Sequence, residues 1–195
     1  MRILLVGVAL AATAMPAFAH TGHGATSGLA AGFTHPLLGL DHLLAMIAVG
    51  LFAAARGGKA LWLVPLAFVA MMVGGGALAM AGIQMPMVEL AIALSVVVLG
   101  AAVALRLSLP LTGAMALVGA FALFHGHAHG SEMPAAASAA TYALGFVLAT
   151  ALLHAVGVGI GLAAGIGSRR AGQWAMRATG SVVALAGVGI LAGVI

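Results

Sequence analysis

Six apolar runs, most of them long enough to cross a lipid bilayer, occupy most of this chain. They cover residues 36–55, 61–83, 87–105, 110–124, 135–167 and 179–195. A transmembrane helix needs about 20 apolar residues, and lipid offers no partner for backbone polar groups that a segment leaves unpaired. Only 5% of the residues are charged, against about 25% in soluble domains. The sequence therefore predicts an all-α, polytopic membrane protein whose transmembrane domain, residues 35–195, is a bundle of six helices.

Residues 1–19 have the pattern of a secretory signal peptide. Arg2 precedes an apolar run over residues 3–14, and Ala17-Phe18-Ala19 fits an A-x-A cleavage site after the helix breaker Pro16. The run is too short for a span of about 20 residues, which favours cleavage over an uncleaved first helix. The fifth apolar run, in contrast, is too long for one span, so part of it is expected to form a loop or a short surface helix.

Residues 20–34 are predicted to form a periplasmic, histidine-containing leader. His20 would become the new amino terminus, and His23 follows three residues later. A copper or nickel clip at a free amino terminus needs histidine in third position, where this chain has Gly22. We therefore interpret His20 and His23 as a weak attractant for cations or as no site at all.

The basic residues of the mature chain indicate its orientation. They are Arg56, Lys59, Arg106, Arg169, Arg170 and Arg177. If the mature amino terminus is outside, all of them lie on the cytoplasmic side, as the positive-inside rule requires. The three acidic residues and seven of the eight histidines then lie in the outer half, with His154 deeper. We expect a bacterial inner-membrane protein with a periplasmic amino terminus. Its net charge of +4 is too small to indicate a nucleic-acid partner.

The first apolar run carries two histidines and an aspartate. Pro36 fits the first turn of a helix, which would place His35 at the cap. At helical spacing His35, His42 and Met46 share a narrow stripe, and Asp41 lies about a third of a turn away. The Asp41 carboxylate could bind a shared cation or fix the tautomer of an imidazole. Alternatively, the histidine-aspartate pair only holds helices together. A charged side chain at bilayer depth costs about 2.5–3.5 kcal/mol, which favours a functional site.

A second polar cluster follows the fourth run. If it is helical, His125, His129 and Glu132 form one stripe and His127 is turned away. Gly126, Gly130 and Pro134 argue against a continuous helix there. The alternative is a solvent-exposed histidine tract.

Two further polar residues lie in apolar runs. Glu89 would add a carboxylate at the outer face, or would simply meet water at the interface. His154 would be a deeper relay point or a packed histidine bonded to a neighbouring helix.

The absence of cysteine restricts the metal chemistry of these clusters. Any metal must be held by imidazole, carboxylate, thioether or backbone groups. Nitrogen and oxygen donors without thiolate suit nickel, cobalt, zinc, iron or copper rather than magnesium or calcium.

Two motifs, in this order along the chain, resemble those of the HupE/UreJ family of hydrogenase and urease accessory membrane proteins. They are His35-Pro36-x-x-Gly39-x-Asp41-His42-x-x-x-Met46 and Phe124-His125-Gly126-x-Ala128-His129-Gly130-x-Glu132. The resemblance covers the whole chain and implies nickel uptake that supplies nickel enzymes. It also implies that the metal is handled by His35, Asp41, His42, His129 and Glu132.

We therefore expect a permease for a divalent transition-metal cation, nickel first, with cobalt or zinc as alternatives. The metal would be cargo, and no catalytic residue is expected. The chain has no Walker-type phosphate loop, so it is not expected to hydrolyse ATP. An intramembrane zinc hydrolase using the same cluster is the main alternative. A metal sensor is a third, although the short cytoplasmic loops leave little surface for a protein partner.

Overall fold

The computed structural model describes residues 25–135, 137–166 and 169–195. Within them the chain forms helices and no strand, which confirms the all-α class. The helices are α1 Ala25–Leu38, α2 Leu40–Arg56, α3 Ala60–Met80, α4 Val88–Ala104, α5 Leu111–Ser131, α6 Ala139–Ile166 and α7 Arg169–Leu191. The predicted signal peptide, His20 and His23 lie outside the described residues.

Four of these helices are long and apolar enough to cross a membrane, namely α3, α5, α6 and α7. The α1–α2 pair makes a fifth candidate if its two arms are one bent span. Helix α4 is apolar but shorter, at 17 residues. Large apolar side chains such as Leu144, Leu148 and Leu152 are about half exposed on the outer surface of α6. The architecture is that of a membrane protein with four to five candidate spans.

The first apolar run is not one straight helix from residue 36 to 55, as the sequence predicted. Helix α1 begins at Ala25, and the chain turns by 83° at Gly39, whose backbone is extended with φ −83° and ψ 119°. Pro36 therefore lies in the last turn of α1 rather than in a first turn, and His35 is not a cap residue. The consequence is that His35 and Asp41 are carried by different helices.

Helix α5 continues seven residues past its predicted end at residue 124 and includes the histidine cluster. Its glycines do not break it because they lie against the parallel helix α3. A Cβ atom at Gly126 would collide with the carbonyl oxygen of Met72, and one at Gly130 would lie 2.7 Å from the carbonyl oxygen of Gly76. Close small-residue packing of this kind is how membrane helices approach one another.

Helix α6 takes up 28 residues of the fifth run, Ala139–Ile166, and residues 135, 137 and 138 before it form a turn and irregular backbone. The predicted loop is therefore present but short, and the span is longer than predicted. Helix α6 is this long because it packs along both arms of the bent pair. Gly145 approaches Leu29 of α1, and Gly157 approaches Ile47 of α2. Helix α7 begins at Arg169, ten residues before the predicted start of the last span.

A fully buried apolar core lies below the polar clusters. It includes Val49, Phe52, Phe68, Leu99 and Val118, contributed by α2, α3, α4 and α5. The polar residues are thereby confined to the ends of the bundle and to a few buried positions next to this core.

Candidate metal site

All three acidic residues of the chain line one cavity of about 340 Å³. The cavity lies where α1 ends, α2 and α4 begin and α5 ends. Its polar lining consists of His35, Asp41, His42, Glu89, His129 and Glu132. Residues far apart in sequence are thus brought together at one end of the bundle, as predicted from their placement on one side of the membrane.

The mouth of the cavity holds a group of three potential metal ligands. His35 Nε2 lies 2.8 Å from Glu132 Oε2, and the ring centroids of His35 and His129 are 4.7 Å apart. One ligand atom from each of His35, His129 and Glu132 lies within 4.8 Å of the other two. The side chains of His35 and Glu132 are 37% and 51% exposed, whereas His129 is 3% exposed. The group therefore bridges solvent and the protein interior.

Asp41 fixes the imidazole of His42. Its Oδ1 accepts the backbone N–H of His42 at 2.7 Å and the ring Nδ1–H at 2.9 Å. With Nδ1 protonated, the lone pair of the neutral ring is on Nε2, which is buried and has no hydrogen-bond partner in the described part of the chain. A carboxylate that holds a histidine in this way is the usual outer partner of a metal ligand.

His125 is fixed by Ser95, a residue of α4 that lies outside both sequence motifs. The Ser95 hydroxyl donates to the carbonyl oxygen of Ile92 at 2.6 Å, so its oxygen accepts His125 Nε2–H at 2.8 Å. The Nδ1 lone pair of His125 is buried and unpaired among the described residues. Apart from Glu89, Ser95 is the only polar side chain in α4, which is the signal that could have identified it.

The imidazole rings of His129, His42 and His125 contact one another in a series that leads from the mouth of the cavity into the protein. The ring centroid of His42 is 4.1 Å from that of His129 and 4.5 Å from that of His125. Neither ring nitrogen of His129 has a hydrogen-bond partner within the described residues. A buried polar atom left unpaired costs about 1–3 kcal/mol, so several such nitrogens converging on one place indicate a site for a ligand.

His127 points away from this site, as helical spacing predicts. Its Nε2–H donates to the carbonyl oxygen of Ile83 at 2.8 Å, which ties α5 to the connection between α3 and α4. Aromatic residues instead surround the site. The Phe146 ring lies 3.9 Å from that of His129, and Tyr142 lies 6.3 Å from His35.

The other residues predicted to bind metal lie at the edge of this cavity or deeper in the bundle. Glu89 is exposed and lines the cavity. Met46 is fully buried in the apolar core one turn after His42. His154 is 2% exposed, and Phe68 separates it from His125, with ring-centroid distances of 5.1 Å to His154 and 5.7 Å to His125. His154 is therefore deeper than the other histidines described and is not part of the cavity.

Comparisons with known proteins cover nearly the whole chain. The profile of the family described as HupE / UreJ protein matches residues 8–190. Protein HupE of Rhizobium leguminosarum bv. viciae is 47% identical over 194 residues, which are 99% of this chain and 100% of that protein. No solved structure matches the chain.

Proposed function

The chain belongs to the HupE/UreJ family, as its two motifs indicated, and we propose that it is an inner-membrane permease that imports a divalent transition-metal cation. Nickel is the proposed cargo, destined for hydrogenase or urease maturation. The observation that carries this proposal is the cavity into which all three carboxylates of the chain converge, together with three histidines. Acidic side chains are rare in membrane-spanning segments and normally mark a pathway or a site, so their convergence on one space supports a cation site.

Capture of the cation would begin at the mouth. Glu132 and His35 are partly exposed and offer oxygen and nitrogen to a hydrated ion, and His129 offers a buried nitrogen on the inner side. Carboxylates at the entrance lower the desolvation cost of a dication. Binding would replace the 2.8 Å hydrogen bond between His35 and Glu132, because His35 Nε2 must lose its proton to act as a ligand.

The next ligands inward would be the lone pairs of His42 and His125. Both are held in a fixed tautomer by a neighbouring oxygen, from Asp41 and Ser95 respectively. A neutral imidazole with a free nitrogen is a good ligand for nickel, cobalt and zinc. The donor set favours these ions over magnesium or calcium and does not rank them further.

In this conformation, buried apolar side chains would block an ion from moving further inward than these histidines. Met46, Val49 and Phe52 form successive, almost completely buried turns of α2 beneath His42. A transport cycle therefore needs a second conformation in which these apolar side chains separate. His154 lies next to Phe68 on this inner side and is the one deeper imidazole that a released ion could meet among the described residues.

The membrane potential is sufficient to drive import without ATP. One charge moving through 100 mV gains about 2.3 kcal/mol, so a divalent ion gains about 4.6 kcal/mol. That free energy corresponds to a gradient of about a thousandfold.

The test is uptake of radiolabelled nickel into proteoliposomes under an inside-negative potassium diffusion potential. We expect concentrative uptake that is inhibited by cobalt or zinc and that disappears when the potential is collapsed. Uptake that survives at zero potential and follows an imposed pH gradient would indicate proton coupling. Absence of uptake under both gradients would contradict the permease.

An intramembrane zinc hydrolase is the second candidate, because His35, His129 and Glu132 could hold zinc and leave a fourth position open. The metal content of the purified protein separates the two functions. One firmly retained zinc per chain favours the hydrolase, and weak, exchangeable binding favours the permease.

A further inference from the structure

A second cavity, of about 400 Å³, lies at the opposite end of the bundle and contains three arginines. They are Arg56 at the end of α2, Arg106 just after α4, and Arg177 in the third turn of α7. Asp41 and Arg56 stand at the two ends of α2, about 22 Å apart along its axis. The two cavities therefore face opposite ends of the molecule.

The charge of this arginine cavity is not balanced by the protein itself. The chain has three acidic residues, and all of them line the metal-site cavity at the other end. Three guanidinium groups around one space repel each other, most strongly at the half-buried Arg56. An anion from outside the chain would remove it.

Two of the guanidinium groups are held in place. One terminal nitrogen of Arg56 donates to the carbonyl oxygen of Leu109, while its Nε is buried and has no partner in the described residues. Arg56 also lies 5.8 Å from the ring centroid of Phe52, and Arg177 lies 5.9 Å from that of Trp174. Arg56 is thus a fixed, half-buried guanidinium donor, and the exposed Arg106 and Arg177 stand at the rim of the same cavity.

We propose that the arginine cavity binds a phosphate group, from an anionic lipid headgroup or from free phosphate. The planar guanidinium fork matches the oxygens of phosphate and forms charge-assisted hydrogen bonds with them. The cavity lies beside the exposed apolar side chains of Leu105, Leu107 and Trp174, which is the composition of a membrane interface. Basic pockets between transmembrane helices on the cytoplasmic side are typical binding sites for anionic headgroups.

A bound phosphate has a consequence for the proposed transport. In the proposed orientation the arginines stand at the cytoplasmic end, where their positive charge would oppose the exit of a divalent cation. A phosphate in the cavity would neutralise part of that charge. This consequence rests on the permease function, but phosphate binding itself does not.

The test uses the purified full chain and measures binding without transport. Native mass spectrometry counts the phosphatidylglycerol molecules retained, with phosphatidylcholine as the zwitterionic comparison. A titration of thermal stability with inorganic phosphate, at constant ionic strength against chloride, tests the free anion. Arg106→Gln and Arg177→Gln should each weaken binding at least tenfold. Arg170→Gln removes the same charge from an exposed position outside the cavity and should change binding less than twofold.

The two measurements identify the source of the phosphate. Retention of phosphatidylglycerol alone assigns the cavity to a lipid headgroup, and stabilisation by phosphate alone assigns it to the free anion. The proposal is overturned if the protein prefers neither over its comparison, or if Arg170→Gln weakens binding as much as Arg106→Gln and Arg177→Gln do. Because nickel uptake is not measured, failure of the permease function would leave this result unaffected.

Discussion

Nδ1 of His42 lies 2.9 Å from Oδ1 of Asp41, and that same oxygen accepts the backbone N–H of His42. One carboxylate oxygen therefore fixes both the start of α2 and the tautomer of the one histidine in that helix. The relationship makes Asp41 a positioning residue for His42 as well as a negative charge in the cavity.

Replacing Asp41 should weaken metal binding more than folding. Loss of a carboxylate that orients a histidine ligand typically lowers metal affinity about 10–100-fold. We expect this loss for Asp41→Ala and a smaller one for Asp41→Asn, whose amide oxygen can still accept Nδ1–H. Calorimetric titration of the purified variants with nickel provides the measurement. Equal affinity in the wild type and Asp41→Ala would show that Asp41 has no role at the site.

His129 and His127 form a matched pair two residues apart on α5. His129→Ala should reduce nickel uptake at least tenfold, because His129 contacts the rings of both His35 and His42. His127→Ala should keep at least half of the uptake and lower thermal stability, since the carbonyl oxygen of Ile83 loses its donor. Equal loss of uptake in the two variants, at equal protein abundance, would contradict the geometry described for α5.

Ser95 should matter through His125. Ser95→Ala leaves His125 Nε2–H unpaired in the protein interior, which lowers the free energy of unfolding by about 1–3 kcal/mol. We also expect slower nickel uptake, because the ring is no longer held in one tautomer. Ser131→Ala is the control, since the Ser131 hydroxyl also donates to a carbonyl three residues earlier but lies on the surface. If both variants behave alike, Ser95 has only a local structural role.

The close contact between α3 and α5 should not tolerate a methyl group. A Cβ at Gly126 would collide with the Met72 backbone, so Gly126→Ala should displace α5 and reduce the amount of folded protein. Gly159→Ala is the control, because a Cβ there meets nothing within 4 Å. Size-exclusion profiles of the two variants in detergent would compare them. Similar monodisperse yields would show that the helices separate easily.

The sequence predicted which polar residues meet better than it predicted the helices that carry them. Helical spacing correctly placed His125 and His129 on one face of α5 and turned His127 away from it. This prediction needs only the geometry of a single helix. The contact between His35 and Glu132 spans 97 positions and depends on how α1 and α5 meet, which no local pattern encodes. Met46 shares the stripe of His42, yet the core of the bundle buries it.

The predicted helix boundaries were wrong where tertiary packing overrides the local helix propensity of the residues. Gly126 and Gly130 would weaken an isolated helix, but here they permit the approach of α3 and so stabilise α5. Gly39, in contrast, does interrupt the helix, and Pro36 lies three residues before it. For Gly126 and Gly130 the deciding feature is the neighbouring helix α3, which lies elsewhere in the chain.

The bend at Gly39 distributes the polar residues of the acidic cavity between two helices. Asp41 and His42 belong to α2, whereas His35 lies on α1, four residues before the bend, at a lever arm of about 6 Å. A rotation of α1 by about 20° around Gly39 moves His35 by about 2 Å, given that arm length. Such a rotation would separate His35 from Glu132 and leave the bonds between Asp41 and His42 intact, and α6 would have to follow because Gly32 of α1 packs against Tyr142. The position of His35 at the mouth of the cavity is therefore set by α1, separately from the Asp41–His42 pair on α2.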